Sequence, residues 1–263
     1  MESLNKTSSE TMPVLFIGHG SPLNAIEDNE FSLAWLEAGS QLPKPRAILC
    51  ISAHWQTYGL KATAMDNPGT IYDFFGFPGE LYKLKYPAPG SPELVKEMQQ
   101  VIEDGQLIAD FDWGLDHGAW SVLRRLFPEA DVPVVQLSLD YSRSPEEHYA
   151  LGRQLKYLRH KNVIILGSGN IVHNLRLINW ESGAYEWALE FDEQVHQFIL
   201  SGNDQELIYY QDLGQPAHLS IPTDEHYLPL LYILAARDAG EQVTFFADQV
   251  VMGSISMRSI RFG

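Results

Sequence analysis

The chain has 263 residues, enough for one large α/β domain or two small ones. Hydrophobic residues make up 45% and charged residues 20%, ordinary values for a globular protein, and no apolar run reaches the roughly 18 residues of a membrane span. A formal charge of −16 opposes binding to nucleic acid or to an anionic membrane, because both require basic surface.

Residues 1–11, MESLNKTSSET, are polar, lack the apolar stretch of a signal peptide, and read as a disordered lead. Residues 14–17 form a short strand ended by the turn Gly18-His19-Gly20-Ser21-Pro22. A helical stretch near 31–38 leads to a second strand, 47–52, which carries the single cysteine, Cys50. A lone cysteine forms no intramolecular disulfide. Inside AILCIS it reads as a buried small hydrophobe, so the expected compartment is the cytoplasm. Segment 69–92 is rich in glycine, proline and aromatics, too irregular for a long helix and too apolar for a linker, which suits a lid or pocket wall.

Ser91-Pro92-Glu93 caps and opens a helix running to about Glu103. After the loop FDWGLDHGAW come a short helix at 121–127 and a strand at 132–139. Ser144-Pro145-Glu146 opens a helix that continues to about Arg159, and 163–166 is a fourth strong strand. Helices at 185–201 and 227–239 follow, and strands at 243–247 and 254–260 close the chain. Alternating strands and helices predict an α/β fold: a single layered domain over 12–263, with a central, largely parallel (mixed) sheet flanked by helices.

Four histidines, His19, His54, His173 and His226, stand where a strand or tight loop gives way to a turn. In an open α/β sheet the ligand crevice lies beyond the carboxyl ends of the strands, and imidazole is the commonest protein metal ligand. The pattern points to a mononuclear metal site. His19 alone reads as a ligand or a surface turn residue, and His54 alone as a hydrogen-bonded core residue. Together FIGHG and ISAHW place one imidazole just past each of two buried strands, and neighbouring parallel strands would bring both to one ion. In Pro222-Thr223-Asp224-Glu225-His226, Thr223 could cap a helix, and either His226 or Glu225 could be the third ligand; adjacent helical residues point about 100° apart, so both would not bind together.

Gly167-Ser168-Gly169-Asn170 resembles a fragment of a dinucleotide-binding loop, but Val172 replaces the third glycine. The preferred reading is a flexible loop carrying Asn170 and His173 towards a substrate. His117 is either a proton donor contacting substrate or a loop histidine paired with Asp116. Tyr72, Phe74, Phe75 and Phe77 either wall a pocket or pack as ordinary core. His148, His160, His196 and His218 read as surface residues.

On these residues the chain resembles the class III extradiol ring-cleavage dioxygenases, the group related to the catalytic subunit of protocatechuate 4,5-dioxygenase, and within it the 4,5-DOPA extradiol dioxygenase branch. The motifs are GHGSP at 18–22, SAHW at 52–55, YPAPGSPEL at 86–94, DHGAW at 116–120, QLSLD at 136–140, GSGNIVHNL at 167–175 and EHYLPLLY at 225–232. The resemblance implies one non-haem divalent metal per chain held by His19, His54 and His226. His173 would be a further ligand or the acid/base group, and His117 a second pocket histidine. It implies Fe(II) for turnover, Zn(II) in the protein as purified, and a DOPA-like catechol with O₂ as substrates. An all-histidine site is neutral and suits zinc, whereas a Glu225 ligand would favour iron. A monomer is expected. The alternatives are a zinc hydrolase using a metal-activated water, which would turn over without O₂, and a non-catalytic metal-binding protein with a closed shell.

Overall fold

The first strand, β1 (Val14–Gly18), alternates its side chains between two cores: Val14 and Phe16 enter one, Leu15 and Ile17 the other. The same alternation runs through β2 (Ala47–Thr57), where Ala47, Leu49 and Ile51 face one side and Ile48 and Cys50 the other. Strands covered on both faces read as unbroken apolar runs, which is why these segments are so legible. The protein, a computed structural model, is described over residues 11–102, 107–181 and 183–263. The expected disordered lead up to residue 10, and helix residue Glu103, lie outside the described residues.

The remaining strands are β3 (Lys61–Thr63), β4 (Ile108–Asp110), β5 (Val134–Asp140), β6 (Val163–Gly169), β7 (Val243–Phe246), β8 (Val250–Val251), β9 (Ile255–Ser256) and β10 (Ser259–Phe262). Among the described residues, eight strands form one sheet in the order β4-β3-β5-β2-β6-β1-β10-β7. The central four, β5, β2, β6 and β1, are parallel, while β3 and β10 flank them antiparallel. The sheet is therefore largely parallel and mixed, as expected. β8 and β9 pair as a separate ribbon.

The helices are α1 (Glu30–Ser40), α2 (Pro92–Val101), α3 (His117–Leu126), α4 (Pro145–Leu155), α5 (Glu186–Ser201), α6 (Asp204–Ile208), α7 (Gln215–Ser220) and α8 (Leu228–Ala236). α1 and α3 cover the Leu15–Cys50 face, where Trp35 and Trp120 are buried. α4, α5 and α8 cover the opposite face. α8, LPLLYILAA, is buried all round, the signature of a helix enclosed by protein rather than facing water. No helix among the described residues is long and apolar enough to cross a membrane.

Several expectations need correction. β1 and β2 are not neighbours, because β6 lies between them. β2 runs past Ser52 to Thr57, so His54 lies inside a strand. α3 starts at His117 rather than Ser121, because the Asp116 side chain caps it by accepting from the Ala119 N–H. The 254–260 segment splits into β9 and β10, and the short β3 and β4 were not anticipated. α8 starts at Leu228, with Thr223 bonded to Glu225 rather than capping a helix. His148 is buried and hydrogen-bonded to the Tyr232 hydroxyl at 2.8 Å, so it is no surface residue.

The GSGN string takes its meaning from this packing. Successive strand residues face opposite sides, so Gly167 and Gly169 turn to the α8 side and Ser168 to the α3 side. A Cβ on Gly169 would stand 2.1 Å from the His226 carbonyl oxygen, and one on Gly167 2.7 Å from that of Pro229. These glycines admit the turn before α8 and the first turn of that helix, not a pyrophosphate. Gly169→Ala should lower stability by about 1–3 kcal/mol, the usual cost of overpacking, whereas Gly79→Ala, whose Cβ meets nothing within 4 Å, should be near neutral. Urea unfolding of both variants measures the contrast.

Candidate metal centre

Five imidazoles meet at the carboxyl ends of β1, β2 and β6. His19 follows β1 and donates its backbone N–H to the Gly169 carbonyl at 3.0 Å. His54 sits where β2 loses register with β5: Ile51 lies opposite Leu137, but Gln56 lies opposite Leu139. The intervening residues bulge, a device that re-aims side chains beside functional sites. His117 opens α3, and its helix approaches β2 closely because Gly118 has no Cβ; one would stand 2.6 Å from Ser52 Oγ and 2.8 Å from the His54 ring. His226 is held in the turn before α8, its carbonyl accepting from the Asn170 N–H at 2.8 Å. His173 donates its N–H to the Ser220 carbonyl at 2.9 Å and bridges to Ile255. That segment is pinned rather than flexible, and Asn170 is buried, donating to the Ser256 carbonyl.

Hydrogen bonds at the outer nitrogens decide which way each ring turns its lone pair. Ser168 Oγ donates to the Gly118 carbonyl at 2.6 Å, so it accepts from His19 Nδ1–H at 3.0 Å. The His54 Nδ1 lies 3.2 Å from Asp73 Oδ2, and the His226 Nδ1 lies 2.9 Å from Glu225 Oε1. Glu225 accepts from His226 Nδ1–H and leaves that Nε2 bare, while the Asp73 carboxylate stands beside His54 Nδ1. The Nε2 atoms of His19 and His54 face one another at 3.1 Å. The Nε2 of His226 is buried with no hydrogen-bond partner. The His226 ring centroid lies 5.3 Å from that of His19 and 5.0 Å from that of His54. Two facing Nε2 atoms and an orphaned buried nitrogen of His226 make a donor set that fits a divalent metal.

The other two rings are placed differently. His173 stacks on His226, centroids 3.4 Å apart and planes 10° from parallel. Lone pairs lie in ring planes, so stacked rings direct theirs along separate parallel sheets. His117 lies 3.9 Å from His54 and gives both its N–H and its Nδ1–H to Asp73, each at 2.9 Å. Its partner is thus Asp73, not Asp116.

Burial, reinforced by neighbouring imidazoles, holds His19 and His226 well below the ordinary value of 6.5. Burial is also the main cause that pushes His54 down to about 3 and His173 down to about 4. Burial pushes Asp73 up, but the hydrogen bonds and charge of His117 and His54 outweigh it and leave the carboxyl below its usual range. At neutral pH these four imidazoles are uncharged.

The rings open into a cavity of about 490 Å³. Phe74 and Phe77 line it, Phe75 is 92% exposed, and Tyr72 packs beside Trp120, so the aromatic segment is part wall and part core. A second cavity, about 390 Å³, opens beyond Glu225 and contains none of the five imidazoles.

Residues 14–262 match the family described as the catalytic LigB subunit of aromatic ring-opening dioxygenase. The chain belongs to the LigB family. Dioxygenases of this family use a non-haem metal, which the histidine cluster could bind. An Escherichia coli K12 relative named 4,5-DOPA dioxygenase extradiol is 45% identical across 97% of this chain and 96% of its own. A Beta vulgaris protein of the same name is 36% identical, across 94% and 95%. A crystal structure of an uncharacterized Escherichia coli K12 protein superposes with a TM-score of 0.84 at 41% identity, covering 96% of this chain and 100% of that one. This LigB chain is therefore an aromatic ring-opening dioxygenase, and the hydrolase alternative is set aside.

Sequence reasoning missed Asp73, Ser168 and the supporting place of Glu225. Asp73 left one signal: it is the only charged residue between Asp66 and Glu80. Asp73→Ala, which frees two rings at once, should weaken Co(II) binding about 10–100-fold, read from the metal's absorption spectrum. In metal-free protein, unfolded histidines take up protons near 6.5 while folded His173 and His54 resist to about 4 and about 3. Stability should then be full above that upper value and fall progressively on acidification through the window, as urea midpoints measured against pH will show.

Proposed function

We propose that residues 12–263 form one catalytic unit that opens the ring of a DOPA-like catechol with O₂ by extradiol cleavage. The observation that carries this reading is the cluster of imidazoles at the strand ends, where His19 and His54 bring their Nε2 atoms to 3.1 Å and the buried Nε2 of His226 has no partner. These three would hold the metal. Glu225 serves His226 from behind instead of replacing it. Fe(II), when bound, supplies the electron path between catechol and O₂ that zinc, lacking redox chemistry, does not; Zn(II) is the ion expected in the protein as purified.

His173 acts as the acid/base group. Its stacking on His226 sets its lone pair apart from the three ligands, and burial keeps the ring uncharged, so that lone pair is open to a catechol hydroxyl proton. His117, held by Asp73 at Nδ1, orients a second oxygen-bearing group through Nε2. Phe74 and Phe77 exclude water from the ring face. The names of the relatives support a DOPA-like substrate. The protein works as a monomer in the cytoplasm, in keeping with its single buried Cys50.

The test strips the metal, reloads Fe(II) or Zn(II) anaerobically, and follows oxygen uptake with L-DOPA and simple catechols. Equimolar O₂ consumption with a ring-opened chromophore, in the iron sample only, is expected; no uptake with iron would defeat the reading. His173→Ala should keep most of its metal and lose about 10²–10⁴-fold in kcat, the span of general acid–base catalysis. Metal loss matching the activity loss would make His173 a ligand instead.

A further inference from the structure

Asp116, at the head of α3, is fully buried, and its carboxylate does more than cap that helix. Oδ1 accepts from the Ala119 N–H at 3.0 Å, which is the cap, and from Ser52 Oγ on β2 at 2.7 Å. Oδ2 accepts from the Gln136 side-chain amide on β5, whose oxygen accepts in turn from the Asp116 N–H at 3.2 Å. Ser52, its proton given to Asp116, accepts from the His54 N–H at 3.3 Å. Ser91 and Ser144 cap α2 and α4 with a single hydroxyl, so a helix start requires neither a charge nor ties to two strands. A buried carboxylate is costly, and a polar network whose members are all satisfied specifies one arrangement.

The arrangement specified here is the first turn of α3. Its second residue, Gly118, is pressed against β2, where an added Cβ would stand 2.6 Å from Ser52 Oγ. The Gly118 carbonyl accepts from Ser168 Oγ at 2.6 Å, and Ser168 thereby accepts from His19 Nδ1–H at 3.0 Å. We infer that Asp116 is a positioning residue for the metal centre, fixing the His19 tautomer through Gly118 and Ser168. The inference rests on the proposed place of His19 among the metal ligands and deepens it. If the head of α3 moves away from β6, Ser168 regains a free proton and donates it to His19 Nδ1. The ring then carries its own proton on Nε2, where a metal requires a lone pair. A carboxylate that never meets the metal thus keeps a ligand atom bare.

Asparagine caps a helix as well as aspartate does, so Asp116→Asn leaves the cap and breaks the network. However the two facing amides are turned, one pair of N–H groups is opposed. Adding Gln136→Glu returns an acceptor to both contacts. Imidazole nitrogen NMR spectra of metal-free protein at neutral pH read the tautomer, and Co(II) titration reads the ligand set. Asp116→Asn should turn His19 from the Nδ1–H form to a mixture with the Nε2–H form. It should also weaken Co(II) binding about 10–100-fold, and the double variant should recover both. An unchanged His19 tautomer in folded Asp116→Asn overturns the inference, as does a double variant that resists urea normally yet recovers neither. If Asp116→Asn does not fold, Ser52→Ala should shift His19 in the same direction, and an unchanged tautomer there is equally fatal. The tautomer is read without metal or catechol. A shifted tautomer alongside unaltered, iron-loaded protein that takes up no oxygen would therefore keep the inference and defeat the cleavage reading.

Discussion

Everything at this site depends on keeping several buried imidazoles neutral with their lone pairs turned inward. A protonated ring among them would repel its neighbours in a medium with little water, and a ring turned over would present N–H where a ligand atom is needed. The protein prevents both. Burial removes the charge, and an acceptor behind two of the rings fixes the tautomer: Ser168 for His19 and Glu225 for His226. Ser168 can accept only because its own proton is committed to the Gly118 carbonyl. A bond two steps from the centre thus sets the chemistry of a ligand.

Such an arrangement opposes folding when no cation is bound, since a buried nitrogen of His226 has no partner. The surrounding scaffold holds it regardless. The central strands are covered on both faces, and α8 is enclosed on every side. Rigid strand ends and a bulge in β2, rather than loops alone, set the ring positions. Local strain at a centre held by a well-packed frame is the usual arrangement at functional sites.

Asp73 links the metal-facing and substrate-facing halves. One carboxylate accepts from His117 Nδ1–H and lies 3.2 Å from His54 Nδ1. Its hold also anchors the aromatic segment that supplies Phe74 and Phe77 to the wall. Ring orientation and pocket shape are thereby set together.

The sequence by itself determined the layered α/β class, because doubly buried strands must be apolar throughout and helices must alternate with them. It also marked the five histidines. The period-two rhythm of a strand even assigns His19 a side, since it continues the Leu15–Ile17 row, whereas the register break beyond Ile51 leaves the aim of His54 to the tertiary structure. Only the tertiary structure decided the rest. It placed β6 between β1 and β2, so the two rings meet across a strand whose small Ser168 leaves room, not on adjacent strands. It gave His117 to Asp73 rather than to its neighbour Asp116, and stacked His173 on His226. Tautomer, partner and ring plane arise from contacts between residues far apart in the chain, and local propensity carries no information about those.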